Sequence, residues 1–151
     1  MAVSINFSYR WLYYMGTGEL ANLYNKGAGN EVLKCALLTS SYTPSNSELL
    51  AYSTSETSTE IAANGYTTGG NVVQSTITDN PALTGSMLWL GDVQWPSSTI
   101  TARYAFVYNH TLPAKYAVCL IDFGENKTSV DGTFKIDFDN INGVLNMVFY
   151  S

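Results

Sequence analysis

Charge is scarce in this chain. Lys, Arg, Asp and Glu make up 13% of its 151 residues, about half the usual share of roughly 25%. The seven Lys and Arg residues do not cluster, and the formal net charge is −5. Because binding to phosphates requires grouped cations, nucleic acid is not an expected partner. An uncharged, hydrogen-bonding surface instead suits assemblies in which copies of one chain meet without repulsion.

Histidine is nearly absent, which excludes most histidine-based catalysis. The single histidine, His110, precedes Thr111 and Pro113 in a predicted loop, and no acid is spaced to orient it. No G-x-S-x-G motif occurs. The Asp122-Phe123-Gly124 triplet matches the kinase magnesium motif by its letters, but the Gly-rich and catalytic loops of kinases are missing. We therefore expect a solvent-facing His110, a turn at Gly124 and no catalytic residues.

Cysteine is also rare. Cys35 and Cys119 both lie inside apolar, strand-like segments, and free cysteine is among the most buried residue types. There is no Cys-x-x-Cys spacing, so a zinc site is not expected. A disulfide would require adjacent strands and an oxidising compartment. The sequence favours two buried free thiols.

Long apolar runs are missing as well. No run approaches the roughly 18 residues that cross a bilayer, and residues 1–9 lack the basic start of a secretory signal. We expect neither a signal peptide nor a membrane partner.

Acidic residues are concentrated near the C-terminus, at Asp122, Glu125, Asp131, Asp137 and Asp139. Calcium requires six to eight oxygen ligands, and the spacing does not match an EF-hand loop. Solvated acids are the favoured interpretation, and no metal or other cofactor is predicted. A paired-carboxylate glycosidase site stays open, although nothing specific supports it.

The clearest strand pattern lies between Met87 and Tyr108. From Thr99 onward, one face carries Ile100, Ala102, Tyr104, Phe106 and Tyr108. This period of two predicts a half-buried strand. The aromatic residues Trp89, Trp95, Tyr104 and Tyr108 are open to two interpretations, a sugar-stacking platform or core packing, and core packing is the more common.

The N-terminal segment is rich in aromatic residues. Phe7, Trp11, Tyr14 and Met15 fall at helical spacing, which predicts a short amphipathic helix within residues 5–24. This helix either caps the β core or forms an arm that docks on a neighbouring subunit, since aromatic residues are enriched at interfaces. We divide the chain into an N-terminal helical or arm segment, 1–30, and a β domain, 31–151.

The β domain contains strand-like segments separated by turn signals. They lie at residues 31–39, 72–77, 87–95, 99–108, 116–123, 132–138 and 144–150. This pattern predicts an antiparallel β-sandwich or barrel-like domain of seven to eight strands with a short N-terminal helix. The last two segments flank Asn142-Gly143 and are predicted to pair as a hairpin. The Ser-rich segment from Ser40 to Ser58 is predicted to be an exposed loop with a helical turn near Glu48 to Tyr52.

Several sequence blocks, in this order and spacing, resemble a family of small structural proteins of tailed bacteriophages. The blocks are Leu37-Leu38-Thr39-Ser40-Ser41-Tyr42-Thr43-Pro44, Gly65-Tyr66-Thr67-Thr68-Gly69-Gly70, Val93-Gln94-Trp95, Ser98-Thr99-Ile100-Thr101-Ala102-Arg103-Tyr104-Ala105, Ile121-Asp122-Phe123-Gly124 and Asp131-Gly132-Thr133-Phe134. They span roughly residues 32 to 138. The aromatic density of the N-terminal segment and the residues after Asp139 depart from the family pattern.

The resemblance implies a non-enzymatic virion component assembled in the bacterial host cytoplasm. Within the virion we expect a capsid decoration or cement protein, itself a homo-oligomer, whose partners are virion proteins such as the major capsid protein. The alternatives are a neck, tail or head-fibre component and a carbohydrate-binding module for host attachment. The predicted interface residues belong to the aromatic N-terminal segment and the Ser-rich segment: Phe7, Tyr9, Trp11, Tyr13, Tyr14, Tyr42 and Tyr52.

Overall fold

Eight strands and one short helix form the regular structure of the described residues, which are 3–8, 31–44, 51–80, 85–138 and 145–148 of this computed structural model. The strands are β1 (Ser4–Phe7), β2 (Leu33–Leu38), β3 (Asn71–Val73), β4 (Ser75–Asn80), β5 (Gly85–Leu90), β6 (Val93–Asn109), β7 (Ala117–Ile136) and β8 (Leu145–Val148), and helix α1 is Thr54–Thr59. The prediction of a mostly β, antiparallel chain is confirmed. No helix in this part of the chain is long and apolar enough to cross a membrane.

The strands form two antiparallel sheets. The larger sheet has the order β1-β7-β6-β2-β3, and the smaller has the order β4-β5-β8. In the larger sheet, Val107 of β6 lies opposite Cys35 on one side and opposite Cys119 on the other. The two cysteines are therefore separated by a whole strand. Both are buried free thiols, as predicted, and burial raises the pKa of Cys119 to about 12.

The central part of the five-stranded sheet is buried on both faces. Cluster 1 is apolar and includes Leu37, Val107, Trp95 and Phe134 together with Leu88 and Leu90 of the smaller sheet. Cluster 2 lies on the opposite face and contains Ala36, Leu38, Tyr42, Tyr52, Tyr104, Phe106, Tyr108, Ala117 and Leu120. Such burial on both sides explains why Cys35-Ala36-Leu37-Leu38 of β2 is a continuous apolar run, because neighbouring residues point to opposite faces.

Strand β6 changes its buried face near Arg103. Ile100 and Ala102 belong to cluster 1, whereas Tyr104 and Tyr108 belong to cluster 2. The single face predicted for residues 100–108 is therefore wrong. The reason is a register shift between Ala102 and Tyr104, since a shift of one residue moves every following side chain to the other face.

Two predicted strand breaks are β-bulges. Pro96 and Ser97 interrupt the pairing of β6 with β7 without ending β6. Likewise, residues 117–136 form one strand, although two separate segments were predicted. The predicted hairpin between the last two segments is wrong, because β8 pairs with β5 and β7 pairs with β6 and β1.

The predicted N-terminal helix is wrong at its start. Phe7 ends strand β1, which pairs with β7 through Ile5 opposite Ile121 and Phe7 opposite Cys119. Strand β1 therefore belongs to the main sheet. The remainder of the predicted helix, residues 9–24, lies outside the described residues.

Helix α1 lies in the Ser-rich segment, just after the predicted position of a helical turn. Ser53 precedes the helix, and its backbone N–H donates to a carboxylate oxygen of Glu56 at 2.9 Å. Ser53-Thr54-Ser55-Glu56 matches the capping-box pattern, which fixes the start of a helix. The Tyr52 side of the predicted turn instead forms a bend and a β-bridge.

Candidate binding surface

Tyrosine side chains hold the Ser-rich segment against the five-stranded sheet. Tyr42 donates a hydrogen bond to Glu56 at 3.0 Å, and Tyr52 donates one to Glu60. Tyr52 also stacks on Tyr108, with 4.2 Å between the ring centroids. Desolvation, followed by interactions with these carboxylates, raises the pKa of Tyr42 and Tyr52 well above the usual range. The described parts of this segment, residues 40–44 and 51–58, thus lie over cluster 2, although the segment was predicted to be an exposed loop.

The Gly-Tyr-Thr-Thr-Gly-Gly block completes this network. Tyr66 donates to Glu60 and accepts a hydrogen bond from the Leu37 N–H at 3.0 Å. The Gly69 N–H donates to the same carboxylate at 2.7 Å. A Cβ atom at Gly70 would lie 1.8 Å from the carbonyl oxygen of Cys35, and its φ is +74°. The block therefore has a structural function, and its positive φ angles confirm the predicted turn chemistry.

The Ile-Asp-Phe-Gly block forms the largest bulge. Residues 123–126 of β7 stand opposite Arg103 alone, with Gly124 at φ +79°. The Arg103 guanidinium donates to the Gly124 carbonyl and pairs with Asp122 at 2.8 Å. Desolvation is the largest influence on Asp122 and raises its pKa, but the Gly124 N–H and Arg103 together lower that pKa below its ordinary value. The triplet therefore stabilises a bulge inside β7, and the predicted strand end with a turn at Gly124 is wrong, because the strand continues to Ile136.

An apolar groove of about 590 Å³ opens beside β1. Its floor is the end of cluster 1, formed by Ile121, Phe123, Phe134, Ile136 and Phe138. Val3 and Ile5 form part of its wall, and they are 58% and 42% exposed. A pocket of this size, lined mainly by apolar side chains, is a candidate binding site.

The charges at the rim of the groove are paired. Lys127 lies 2.7 Å from Glu125, and Lys135 lies 2.8 Å from Asp92 and 3.1 Å from Asp137. The hydrogen bond from Lys135 lowers the pKa of Asp92, and the hydrogen bonds to Asp92 and Asp137 raise the pKa of Lys135. Since each lysine already has a carboxylate partner, the rim favours neither an acidic nor a basic ligand.

The structure places the predicted interface residues in different environments. Phe7 is partly buried against cluster 1, next to the groove. Tyr42 and Tyr52 are only 6% and 7% exposed, and they stabilise the fold through cluster 2. Their buried rings leave little surface for a partner. Tyr9, Trp11, Tyr13 and Tyr14 lie outside the described residues.

Val3 and Ile5 were not predicted to be interface residues. The alternation of Val3, Ile5 and Phe7 was the available signal, because a period of two indicates a strand. The aromatic residues that follow Phe7 have helical spacing, and for this reason a helix was predicted instead of a strand.

The aromatic platform is core, as favoured from the sequence. Trp95, Tyr104 and Tyr108 are buried, and Trp89 is half-buried. His110 is exposed, as predicted; desolvation and the charges of Lys34 and Lys115 lower its pKa.

The acids near the C-terminus do not converge. Asp122 pairs with Arg103, Glu125 with Lys127, and Asp137 with Lys135. Asp131 accepts a hydrogen bond from Thr99 at 3.3 Å, and Asp139 lies outside the described residues. In the part of the chain that the structure covers, no three His, Cys, Asp or Glu residues are grouped to bind a metal ion.

Comparison of the chain with protein-family models, with curated proteins and with solved structures finds no match.

Proposed function

We propose that the protein is a non-enzymatic structural component of a bacteriophage virion, which coats the major capsid lattice in many copies. The observation that carries the proposal is the groove beside β1, where the apolar core reaches the surface between Val3, Ile5 and Phe123. Burial of these apolar side chains against another protein would stabilise a contact there. The phage setting comes from the resemblance of the sequence blocks between Leu37 and Phe134.

Several of these blocks stabilise the fold itself, which supports a structural rather than a catalytic function. Tyr66, Gly70 and Arg103 hold turns and bulges in place through buried or backbone contacts. We infer a sandwich-like domain, because Leu88 and Leu90 of the smaller sheet share cluster 1 with Leu37 of the larger. A rigid domain of this kind, with a low surface charge, suits repeated packing on a lattice.

The alternatives differ in their support. A neck, tail or head-fibre component would use the same scaffold in fewer copies. A carbohydrate-binding module would need an exposed aromatic platform, whereas Trp95, Tyr104 and Tyr108 are buried. We therefore favour the decoration protein.

The proposal is tested by quantitative mass analysis of purified particles. A decoration protein is expected in a copy number near a small multiple of that of the major capsid protein. A few copies per particle would contradict decoration and favour the neck or tail alternative. Absence from the particles would overturn a virion function altogether.

The contribution of the groove is tested by substitution at its rim. Thr133→Arg places a large charge at the groove, while Thr76→Arg places the same charge at an exposed position of strand β4, which does not line the groove. Incorporation into particles should fall at least tenfold for Thr133→Arg and stay unchanged for Thr76→Arg. Equal incorporation of both variants would show that the groove makes no contact in the particle.

A further inference from the structure

Strand β1 forms one end of the five-stranded sheet. Among the described residues it pairs only with β7, through Ser4–Phe7. The outer side of an end strand presents backbone N–H and C=O groups that can pair with another strand. Strand β1 is therefore a template for strand addition.

Three protections of an edge strand are missing from β1. Many natural edges carry charged side chains, proline or a bulge that discourages pairing. The sequence Ser4-Ile5-Asn6-Phe7 has no charge and no proline, and its register with β7 shows no shift. At the other end of the sheet, β3 has the three residues Asn71–Val73 and so offers fewer backbone groups for pairing than the four residues of β1.

The side chains of β1 continue the apolar surface of the groove. Val3, Ile5 and Phe7 alternate along the chain and so share one face. Phe7 packs against cluster 1, while Val3 and Ile5 are exposed beside the groove. A strand added at the edge of β1 would lay alternate side chains along this row, which is how strand addition gains specificity.

The charges around the groove indicate which strand fits. Lys127 and Lys135 are already paired with carboxylates. The added strand therefore needs no acidic residues, and an uncharged strand with apolar residues at alternate positions fits the groove. Every copy of the chain exposes such a strand, namely β1 itself. Two identical antiparallel strands are related by a two-fold axis, and each then makes the same hydrogen bonds to the other.

We propose that β1 pairs antiparallel with β1 of a second copy, so that the two five-stranded sheets join edge to edge and the grooves become adjacent. The inference rests on the proposed function as an assembly subunit and names one of its contacts. Two four-residue strands bury far less than the roughly 1,600 Å² of a standard interface. The dimer is therefore concentration-dependent in solution and is strengthened where a lattice holds copies close together.

Sedimentation over a wide concentration range tests the contact. The wild-type mass should rise from monomer toward dimer, whereas Ile5→Lys should remain monomeric, because a lysine at this position opposes edge pairing. Val72→Lys is the matched control, since Val72 is 48% exposed on the opposite edge strand, and it should dimerise like the wild type. A wild type that is monomeric throughout, or equal loss of dimer in both variants, would overturn the proposal.

Cross-linking provides a test that does not depend on the stability of Ile5→Lys. Single cysteines at the exposed positions Ser4 or Asn6 should give a disulfide-linked dimer on oxidation, and Thr101→Cys on the exposed face of β6 should not. The native Cys35 and Cys119 are buried and do not interfere. The proposal is overturned if neither edge cysteine forms the dimer, or if Thr101→Cys forms it equally well.

The failures of the two proposals are distinguishable. A monomeric chain that is present in stoichiometric copies in particles would remove the β1 contact and leave the virion function intact. A chain that dimerises through β1 but is absent from particles would keep the β1 contact and remove the virion function.

Discussion

The two faces of the five-stranded sheet are covered in different ways. Cluster 1 is closed by apolar side chains from a second sheet, among them Leu88 and Leu90. Cluster 2 is closed by residues 39–44 and 51–60, whose carboxylates Glu56 and Glu60 accept hydrogen bonds from tyrosines. The first face depends on non-directional apolar burial, and the second also depends on polar groups that must all be satisfied. A substitution is therefore expected to act by volume on the first face and by hydrogen bonding on the second.

The largest effect is expected at Gly70, which lies against the backbone of β2. Gly70→Ala would place a Cβ atom 1.8 Å from the Cys35 carbonyl oxygen in a residue with positive φ. We expect a loss of about 4 kcal/mol or more in the free energy of unfolding, measured by chemical denaturation. Gly132→Ala is the control, because its nearest neighbour atom would be 3.5 Å away and its expected change is about 1 kcal/mol or less. Similar stability of the two variants would contradict the close approach at Gly70.

Adjacent residues of β2 compare the two faces directly. Leu37 belongs to cluster 1 and Leu38 to cluster 2, and both are 0% exposed. Each change to Ala should lower the free energy of unfolding by about 2–5 kcal/mol, because a buried cavity is left behind. A cost below about 1 kcal/mol for Leu38→Ala alone would show that the Ser-rich segment covers its face only loosely.

The carboxylates should matter only where tyrosines surround them. Glu60→Gln removes a charged acceptor from the hydroxyls of Tyr52 and Tyr66 and from the Gly69 N–H. We expect a loss of about 1.5–3 kcal/mol in unfolding free energy, the range for hydrogen bonds to a charged group. Glu125→Gln, in an exposed ion pair, should leave the melting temperature nearly unchanged. Equal losses of stability in Glu60→Gln and Glu125→Gln would show that the hydrogen bonds to Glu60 contribute no more than an exposed ion pair.

Alkaline pH should weaken the tyrosine-rich face. Burial, then interactions with Glu60 and Cys35, raises the pKa of Tyr108 to about 12, against an ordinary value of about 10. Between these values the unfolded chain has lost the proton that the folded chain retains, so this stabilisation is complete below pH 10 and falls as the pH rises. The loss is about 1.4 kcal/mol per pH unit for one such tyrosine.

Tyrosinate absorbance measured alongside circular dichroism tests the alkaline effect. Tyr108 should ionise together with unfolding above pH 10, and Tyr108→Phe should reduce the pH dependence of stability above that point. Ionisation of all tyrosines near pH 10 in a folded chain would contradict the burial of this face.

The apolar face was largely predictable from the sequence. The buried thiols and the central strands follow from local periodicity, which the sequence contains directly, whereas the change of face in β6 depends on its pairing with β7. The polar face was not, because a segment with many serines has the composition of an exposed loop. The capping-box residues Ser53 and Glu56 were a readable local signal, but the burial of Tyr42 against Glu56 depends on packing.

The remaining differences arise from contacts that are distant in sequence. Pairing of β8 with β5 joins residues 145–148 to residues 85–88, and no local pattern distinguishes it from a hairpin with β7. The groove likewise combines Val3 and Ile5 with residues 121–138. Both arrangements follow from the topology of the folded chain rather than from any single motif.

The change of face in β6 also has a mechanical consequence. This strand contributes first to cluster 1 and then to both clusters, so its covalent backbone connects the two parts of the core. A pulling force along β6 is carried by that backbone. The hydrogen bonds between β6 and β7 extend along nearly the whole of β6, and they would share such a load in shear. A domain built in this way would resist stretching along β6 more strongly than peeling of its edge strands.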